Sequence, residues 1–299
     1  MTMQADQLDR FLFEHHNVRG ELVRLQQSYQ QILDSYAYPE QIQVLLGELM
    51  AAASLLTATL KFEGEVAMQI QSEGIVKYAV INGTHDQKLR GVARWDETLE
   101  TLPSDFSSLF EKGYLAITLA PHDGERYQGI VALDQPNLAA CLENYFLQSE
   151  QLLTKVELRT QLGAEQAMAG GMLLQIMPES SETSQAQDNP EFEHLGILAD
   201  SLSSEELFTL PTEQILHRLY HEEAVRLFAP QAVKFECDCS RERSANALFN
   251  VSKAELLEIV EEQGAVKMNC QFCHQEYAFD GIDIENLFAG NLAASEQSH

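Results

Sequence analysis

Four of the five cysteines in this chain lie in its last quarter as two short pairs, Cys237-x-Cys239 and Cys270-x-x-Cys273. Structural zinc sites take four sulfur or nitrogen ligands in a tetrahedron, and two cysteine pairs brought together by the fold supply such a set. The same sulfurs could form two disulfides instead, because the thiolate is both the zinc ligand and the form that oxidants attack. The pattern therefore predicts a zinc site, and it leaves open whether that site is purely structural or also responds to oxidation.

The two pairs differ in spacing, and this difference affects how each should respond to oxidation. Zinc ribbons commonly repeat Cys-x-x-Cys, whereas a single residue separates Cys237 from Cys239. A disulfide within that pair would close a small ring of constrained geometry. We therefore expect Cys270 and Cys273 to oxidise more readily, and Cys237 and Cys239 to need local unfolding first.

The segment that carries these cysteines, residues 233–290, is predicted to be a small C-terminal zinc-binding domain, followed by a tail at 291–299. It contains a predicted helix at 253–262 between the two pairs. A unit of this size buries little apolar surface and often needs a metal or disulfides to fold. Zinc binding supplies about 10–16 kcal/mol of apparent free energy in such domains. Losing two thiolates to a disulfide should therefore unfold the domain.

Three further residues could carry chemistry, but their surroundings favour ordinary packing. Cys141 lies in an apolar helical stretch, where a small buried hydrophobe is the simpler interpretation, and we assign it no redox role. His217 and His221 lie four residues apart on one predicted helix face, but the His-Glu-x-x-His order is absent, so solvated or packing histidines are favoured over metal ligands. The sequence also lacks a phosphate-binding loop and a Gly-x-Ser-x-Gly elbow. We predict no catalytic residue, no use of ATP and no cofactor besides zinc.

The N-terminal domain, residues 1–178, is predicted to be a mixed sheet-and-helix core of the α+β class. Apolar residues at 41–60 recur at helical spacing after Pro39 and predict a buried helix, and a second helix is expected at 137–147. Strands and helices interleave without a regular βαβ rhythm, which favours α+β over a doubly wound sheet. The predicted strands are 66–71, 76–81, 114–119, 127–133, 152–158 and 171–177, with a hairpin joining the third to the fourth.

A helical linker, residues 179–232, is predicted between the two domains. The polar stretch 178–190 is almost free of large apolar residues and marks a flexible boundary. Amphipathic helices are then expected at 192–202, 205–210 and 212–228. Their apolar faces must dock on a neighbouring domain or stay exposed, and exposure on that scale would form a binding surface.

The charge of the chain argues against nucleic acid and anionic membranes as partners. The formal net charge is -27 at pH 7, which keeps the chain soluble and repels phosphate-rich surfaces. A zinc-ribbon protein that docks on nucleic acid or a polymerase would need a basic face near its cysteines. Between Cys237 and Cys273 the basic residues are outnumbered by carboxylates, so that alternative is disfavoured; these basic residues are Arg241, Arg243, Lys253 and Lys267.

The protein is expected in the cytoplasm. Its first ten residues are polar and lack the features of a secretory signal, and the apolar stretch 45–60 is interrupted by Glu48 and shorter than the roughly 20 residues that span a bilayer. In a reducing cytosol, clustered cysteines more often bind metal or sense oxidants than form permanent disulfides. A thiol oxidoreductase is a further alternative, but Cys270-x-x-Cys273 follows a predicted strand rather than opening a helix.

Short segments along nearly the whole chain match the pattern of one family. The pattern is strongest at the cysteines, in Cys237-Asp238-Cys239-Ser240-Arg241-Glu242-Arg243 and in Cys270-Gln271-Phe272-Cys273 followed by Tyr277 and Phe279-Asp280. The other segments are Val18-Arg19-Gly20-Glu21, Leu60-Lys61-Phe62-Glu63-Gly64, Leu89-Arg90-Gly91, Gly170-Gly171-Met172-Leu173-Leu174-Gln175, Tyr220-His221-Glu222-Glu223 and Val225-Arg226-Leu227-Phe228. On these residues the chain resembles the redox-regulated 33-kDa heat-shock chaperone family.

The resemblance implies a function and a role for each clustered cysteine. It implies that Cys237, Cys239, Cys270 and Cys273 hold one zinc ion per chain in the reduced, inactive protein. Under oxidative and heat stress, Cys237 would pair with Cys239 and Cys270 with Cys273, zinc would be released and the linker helices would unfold. The exposed surface would then hold unfolding client proteins without ATP, as a chaperone (holdase) and not an enzyme. The family also implies a homodimer on activation and transfer of clients to ATP-dependent foldase chaperones.

Overall fold

The computed structural model describes residues 5–163, 166–177 and 189–289. The chain divides into two compact units, with the boundary between Glu236 and Cys237. Mixed sheets and helices in the first unit and a small second unit with the clustered cysteines confirm the predicted α+β class. Most of the predicted polar boundary, residues 178–188, and the predicted tail, 291–299, lie outside the described residues, and the linker as a domain of its own stays a prediction.

The first unit contains two sheets and seven α-helices among its described residues. Its strands are β1 Gln7–Phe13, β2 Val18–Leu25, β3 Gly64–Gln71, β4 Val76–Thr84, β5 Lys88–Trp95, β6 Tyr114–Pro121, β7 Tyr127–Ala132, β8 Thr154–Gln161, β9 Met168–Ile176, β10 Val225–Leu227, β11 Gln231–Ala232 and β12 Lys234–Phe235. Its helices are α1 Gln27–Leu33, α2 Glu40–Ala58, α3 Phe106–Leu109, α4 Leu138–Tyr145, α5 Pro190–Asp200, α6 Ser204–Thr209 and α7 Thr212–Tyr220, and one π-helical turn, Phe146–Glu150, follows α4.

The two sheets differ in strand order. Sheet A has the order β10-β1-β2-β9-β8, with β11 also pairing with β1, and sheet B has the order β12-β5-β4-β3-β6-β7. All pairs are antiparallel except that of β12 with β5. The predicted hairpin is confirmed as β6 paired with β7, where Leu115 lies opposite Val131.

Helix α2 forms the centre of the first unit. It packs against β2, β8 and β9 of sheet A and against β3, β4 and β5 of sheet B, so nearly all of its sides are buried. Its length and composition would allow it to cross a membrane, but 72% of its apolar window is buried inside the fold, as expected of a core helix. The predicted buried helix at 41–60 is confirmed.

Sheet A is buried on both faces, because side chains alternate along each strand. Val23 and Leu25 face α2 and the main core, whereas Phe11, Phe13 and Leu22 face the opposite way. We call this second side the outer face of sheet A; its buried apolar residues are Phe11, Phe13, Val18, Leu22, Met172 and Leu174. Helices α5, α6 and α7 cover it and form a separate hydrophobic cluster with it.

The helices that cover the outer face follow standard start signals. Helix α5 has Asn189 at its N-cap, where the side chain accepts from the Phe192 amide at 2.8 Å, and Pro190 in its first turn. Helix α6 begins with a capping box between Ser203 and Glu206. The prediction of one helix over 212–228 is wrong beyond Tyr220. Residues Val225–Leu227 instead form β10, because their backbone groups pair with the free edge of β1.

The second unit is small. It contains helices α8 Arg241–Ala247, α9 Lys253–Gln263 and α10 Gly281–Phe288, a 3₁₀ turn, Leu248–Asn250, and the hairpin of β13 Val266–Asn269 with β14 Glu276–Phe279. The prediction of a helix at 253–262 is confirmed. Its described core has seven buried residues: Ala245, Leu248, Leu256, Val266, Phe279, Ile284 and Leu287. A core of this size contributes little folding free energy without a further crosslink.

Candidate metal centre

The local fold brings the two cysteine pairs to one place in the second unit. Cys270 directly follows strand β13, and the chain then turns into β14, with the His274 amide bonded to the Cys270 carbonyl at 2.8 Å. His274 adopts a left-handed conformation with φ 58°, which tightens this turn. Cys239 directly precedes Ser240, the N-cap of α8, whose hydroxyl accepts from the Arg243 amide at 3.1 Å.

The four sulfurs form a compact cluster. Cys237 Sγ lies 3.6 Å from Cys270 Sγ, and Cys239 Sγ lies 3.4 Å from Cys273 Sγ. All four ligand atoms lie within 4.8 Å of one another, and all four side chains are half-buried. A zinc–sulfur bond of about 2.3 Å in a tetrahedron places sulfurs about 3.8 Å apart, so the cluster matches this requirement. These four cysteines could therefore bind a metal ion.

The cysteines have different electrostatic surroundings. Burial raises the pKa of the Cys237 and Cys273 thiols. Burial also acts against ionisation of Cys239, but hydrogen bonds, chiefly from the Tyr277 hydroxyl at 3.3 Å, outweigh it and lower the pKa of this thiol. The same hydrogen bond raises the pKa of Tyr277 to about 12. A lowered pKa favours the thiolate, the form that binds metal.

Arginine side chains connect the segment after the first pair to the hairpin that carries the second. Arg241 donates to the Ala278 carbonyl at 2.7 Å and to Asp283 at 2.6 Å, and its guanidinium lies 4.5 Å from the centre of the Phe279 ring. Arg243 donates to the backbone carbonyl and the carboxylate of Asp238. The Arg241 contacts fix α8 against β14, and the Arg243 contacts fix α8 against the first cysteine pair, so together they help to hold the two pairs in register.

Sequence reasoning missed the contact of Tyr277 with Cys239 and the tether through Arg241. Strand alternation carried a signal for the first, because Tyr277 and Phe279 are two residues apart and must share a face. Phe279 is buried in the small core, so the Tyr277 side chain must also lie on that face of β14. No sequence pattern pairs Arg241 with Asp283, which lies 42 residues later and is brought close only by the fold.

The remaining candidates lie elsewhere. Cys141 is 1% exposed on α4 within the main core, which confirms the interpretation of a small buried hydrophobe, and burial raises its pKa. His217 lies on α7 and His221 directly follows it as the C-cap residue; both are exposed in the first unit.

Comparison with known proteins identifies the family of this chain. The family model described as Hsp33 protein matches residues 6–280. The chain belongs to the Hsp33 family. It is 63% identical to the 33 kDa chaperonin of Pseudoalteromonas atlantica, over 99% of each chain. It is 55% identical to the 33 kDa chaperonin of Shewanella sediminis, over 97% of this chain and 98% of that one. The predicted family and its chaperone class are therefore confirmed.

The fold of this Hsp33 chain also matches a solved structure. The crystal structure of the 33 kDa chaperonin from Thermotoga maritima superposes with a TM-score of 0.81 and covers 96% of this chain and 99% of that one. Sequence identity in that comparison is 22%, so the two proteins share the fold although most of their side chains differ.

Proposed function

We propose that this Hsp33 protein is a redox-regulated holdase, inactive when reduced and zinc-bound, and active when oxidised and stripped of zinc. The observation that carries this proposal is the chemistry of the donor set: all four atoms are oxidisable cysteine sulfurs, clustered within 4.8 Å of one another. They lie in a unit whose described core has only seven buried residues. The metal-binding state of these thiols therefore decides whether the small unit stays folded.

The reduced protein would hold one Zn²⁺ per chain through Cys237, Cys239, Cys270 and Cys273. Sulfur is the donor that zinc takes in such sites, and the separations of the sulfurs fit a tetrahedral ion. When bound, zinc would keep the thiols deprotonated and add its binding free energy to the stability of the unit. Arg241 and Tyr277 would support this state, since one fixes α8 on the hairpin and the other donates to the Cys239 sulfur.

Oxidation would convert the four thiols into two disulfides, Cys237 with Cys239 and Cys270 with Cys273. Each disulfide forms as two thiols lose two electrons and two protons, which one hydrogen peroxide molecule accepts to become two waters. In the folded unit, short sulfur distances also join Cys237 to Cys270 and Cys239 to Cys273. In an unfolding unit, closing those loops of more than 30 residues would cost about 2 kcal/mol more than closing the short ones. Unfolding thus favours pairing within each short pair.

The surface that would bind clients is the outer face of sheet A together with the helices that cover it. Helices α5, α6 and α7 lie within the proposed linker, 179–232, which separates the proposed core domain, 1–178, from the zinc-binding domain, 233–290. Their release would expose aromatic and aliphatic side chains such as Phe11, Phe13 and Leu22, which are at most 1% exposed while the helices are docked. A continuous apolar surface of this kind is what an unfolding protein binds.

Polar contacts at the edges of the linker helices make their docking specific. His16 bonds Glu191 of α5 at 3.0 Å and Glu223 at 2.8 Å. Lys155 of β8 lies 2.6 Å from Asp200 at the end of α5. Contacts of this type keep one docked arrangement, yet each is weak enough in water for the helices to leave as a unit.

The other properties in this proposal follow from the family and the charge. The net charge of -27 would keep the opened protein soluble while its apolar surface engages a client. Its partners would be unfolded or partly unfolded proteins, a second copy of the chain after activation, and ATP-dependent foldases downstream. It would act in the cytoplasm, where a reducing environment keeps the thiols available for zinc. We assign it no catalytic residue.

One titration tests the switch. The reduced protein is treated with increasing peroxide under mild heating, while released zinc, free thiols and light scattering by an unfolding client are measured together. We expect suppression of aggregation to rise with zinc release. Full suppression in samples that retain all their zinc would refute the mechanism. Cys270→Ser should weaken zinc binding and make the linker protease-sensitive before any oxidant is added, whereas the matched control Cys141→Ser should change neither.

Disulfide mapping tests the pairing. Mass spectrometry of the oxidised, digested protein should show peptides in which Cys237 is linked to Cys239 and Cys270 to Cys273, with the second link appearing earlier. Links of Cys237 to Cys270 or of Cys239 to Cys273 as the main products would show that the disulfides form in the folded unit.

A further inference from the structure

The two histidines of helix α7 form a pair that the proposed switch leaves unused. His217 is in the last turn of the helix, and His221 directly follows as its C-cap with helical backbone angles, φ −65° and ψ −17°. Both side chains are exposed, and their ring centroids lie 6.2 Å apart. Among the described residues, neither imidazole makes a hydrogen bond or an ion pair, so their nitrogens remain available as ligands.

Carboxylates surround the pair. Glu213 is four residues before His217 and therefore shares its face of the helix. A cavity of about 220 Å³ is lined by both histidines, Glu213 and Glu223. Glu223 is positioned by its bond to the ring of His16 at 2.8 Å. Two imidazoles and two carboxylates thus line one small concavity whose mouth is open to solvent.

This combination of groups has the chemistry of a transition-metal site. A metal–nitrogen bond of about 2.0–2.1 Å places an imidazole centroid about 3.2 Å from the ion, so two rings that chelate one ion from adjacent turns have centroids about 4.5–5.2 Å apart. The observed separation of 6.2 Å is about 1 Å longer than this range, and because both rings are exposed they can rotate toward each other when an ion binds. The C-terminal end of a helix carries partial negative charge, which also favours a cation at His221.

We propose that His217 and His221 form a second metal site, which binds a divalent transition-metal ion such as Zn²⁺ or Ni²⁺ with Glu213 as the neighbouring carboxylate. The site is separate from the cysteine cluster, which lies in the other unit. Chelation across one helical turn requires α7 to be helical from His217 to His221, so the ion binds the folded linker and not the unfolded one. Binding of the ion does not depend on the proposed function. Only the consequence of binding, that the bound ion resists release of the linker, rests on that function.

Calorimetric titration of the reduced, zinc-loaded full chain with Ni²⁺ at pH 7.5 tests the site. We expect one Ni²⁺ ion to bind, and both His217→Ala and His221→Ala to weaken its affinity at least tenfold. His194→Ala is the matched control, since it removes a single exposed histidine from α5, and it should leave the affinity unchanged. Equal affinity in all four proteins would overturn the proposal.

Proteolysis of the linker measures the consequence without any oxidant or client. At a free Ni²⁺ concentration one hundred times its dissociation constant, an ion that binds only the folded linker should slow cleavage within α5 to α7 by about a hundredfold. At the same Ni²⁺ concentration the effect should fall to about tenfold or less in His217→Ala and stay near a hundredfold in His194→Ala. Unchanged cleavage despite tight Ni²⁺ binding would show that the site does not couple to the linker. This result would leave the cysteine switch untouched.

Discussion

Replacing Thr212 by valine should loosen helices α5, α6 and α7, the proposed linker, in the reduced protein without changing its cysteines. The Thr212 side chain lies at the start of α7 against the outer face of sheet A, where it is 3% exposed. Its hydroxyl donates to Asp9 Oδ2 at 2.5 Å and accepts from Arg24, while Arg24 also donates to the Leu210 carbonyl at 2.6 Å. Valine has nearly the same shape as threonine but can make neither hydrogen bond.

The size of the effect follows from the charges involved. Hydrogen bonds to charged groups contribute about 1.5–3 kcal/mol each, and an unsatisfied buried group costs a similar amount. Asp9 and Arg24 keep their mutual contact at 3.2 Å, so part of the loss is recovered. We therefore expect Thr212→Val to reduce the free energy of linker docking by about 2–3 kcal/mol, which raises the open population about 30- to 160-fold.

Hydrogen exchange of backbone amides is the assay. In the reduced, zinc-loaded variant, amides of α5 and α7 should exchange faster by this factor, while those of the core helix α2 stay protected. Thr209→Val is the matched control, because Thr209 is exposed on α6 and its hydroxyl donates to the Glu205 carbonyl of its own helix. The same exchange rates in both variants would refute the claim that the buried Asp9–Arg24–Thr212 network holds the linker.

Three further predictions concern single side chains. Burial opposes protonation of His16, but its bonds to Glu191 and Glu223 outweigh this effect and raise its pKa. The stability that protonated His16 contributes is therefore complete below about pH 6.5 and is lost as pH rises through the raised pKa. Thermal unfolding of helices α5 to α7 at several pH values should show this loss in the wild type and in His15→Gln, but not in His16→Gln. Burial raises the pKa of Glu21 to about 7 despite Arg19 and Arg10, so the stability contributed by its protonated form is lost as pH rises from about 4.5 through 7. In urea unfolding, the free energy of unfolding of Glu21→Gln relative to the wild type should therefore rise by up to about 3 kcal/mol from pH 5 to pH 8. The exposed control Glu65→Gln should show no such rise. Phe279→Ala should cost about 3–5 kcal/mol of the small unit's stability, and zinc affinity in chelator competition should fall with it; an unchanged affinity would show that metal binding and folding are not linked there.

Much of the architecture could be predicted from local pattern. The apolar periodicity of α2, the turn between β6 and β7 and the helix between the cysteine pairs were all visible in the sequence, because each depends on residues close together in the chain. The prediction failed where distant segments determine the structure. The local pattern of Val225–Leu227 predicted the end of a helix. These residues form a strand instead, because they pair with the free edge of β1, which is more than 200 residues away in sequence.

The sequence by itself determined the candidate ligand chemistry of this protein, since the spacing of Cys237, Cys239, Cys270 and Cys273 already predicts a tetrathiolate set and short motifs indicate the family. Only the tertiary structure decided which surface helices α5, α6 and α7 cover. The outer face of sheet A and the Asp9–Arg24–Thr212 network join residues more than 200 positions apart. Such contacts arise from the three-dimensional packing of whole elements, which local spacing does not encode.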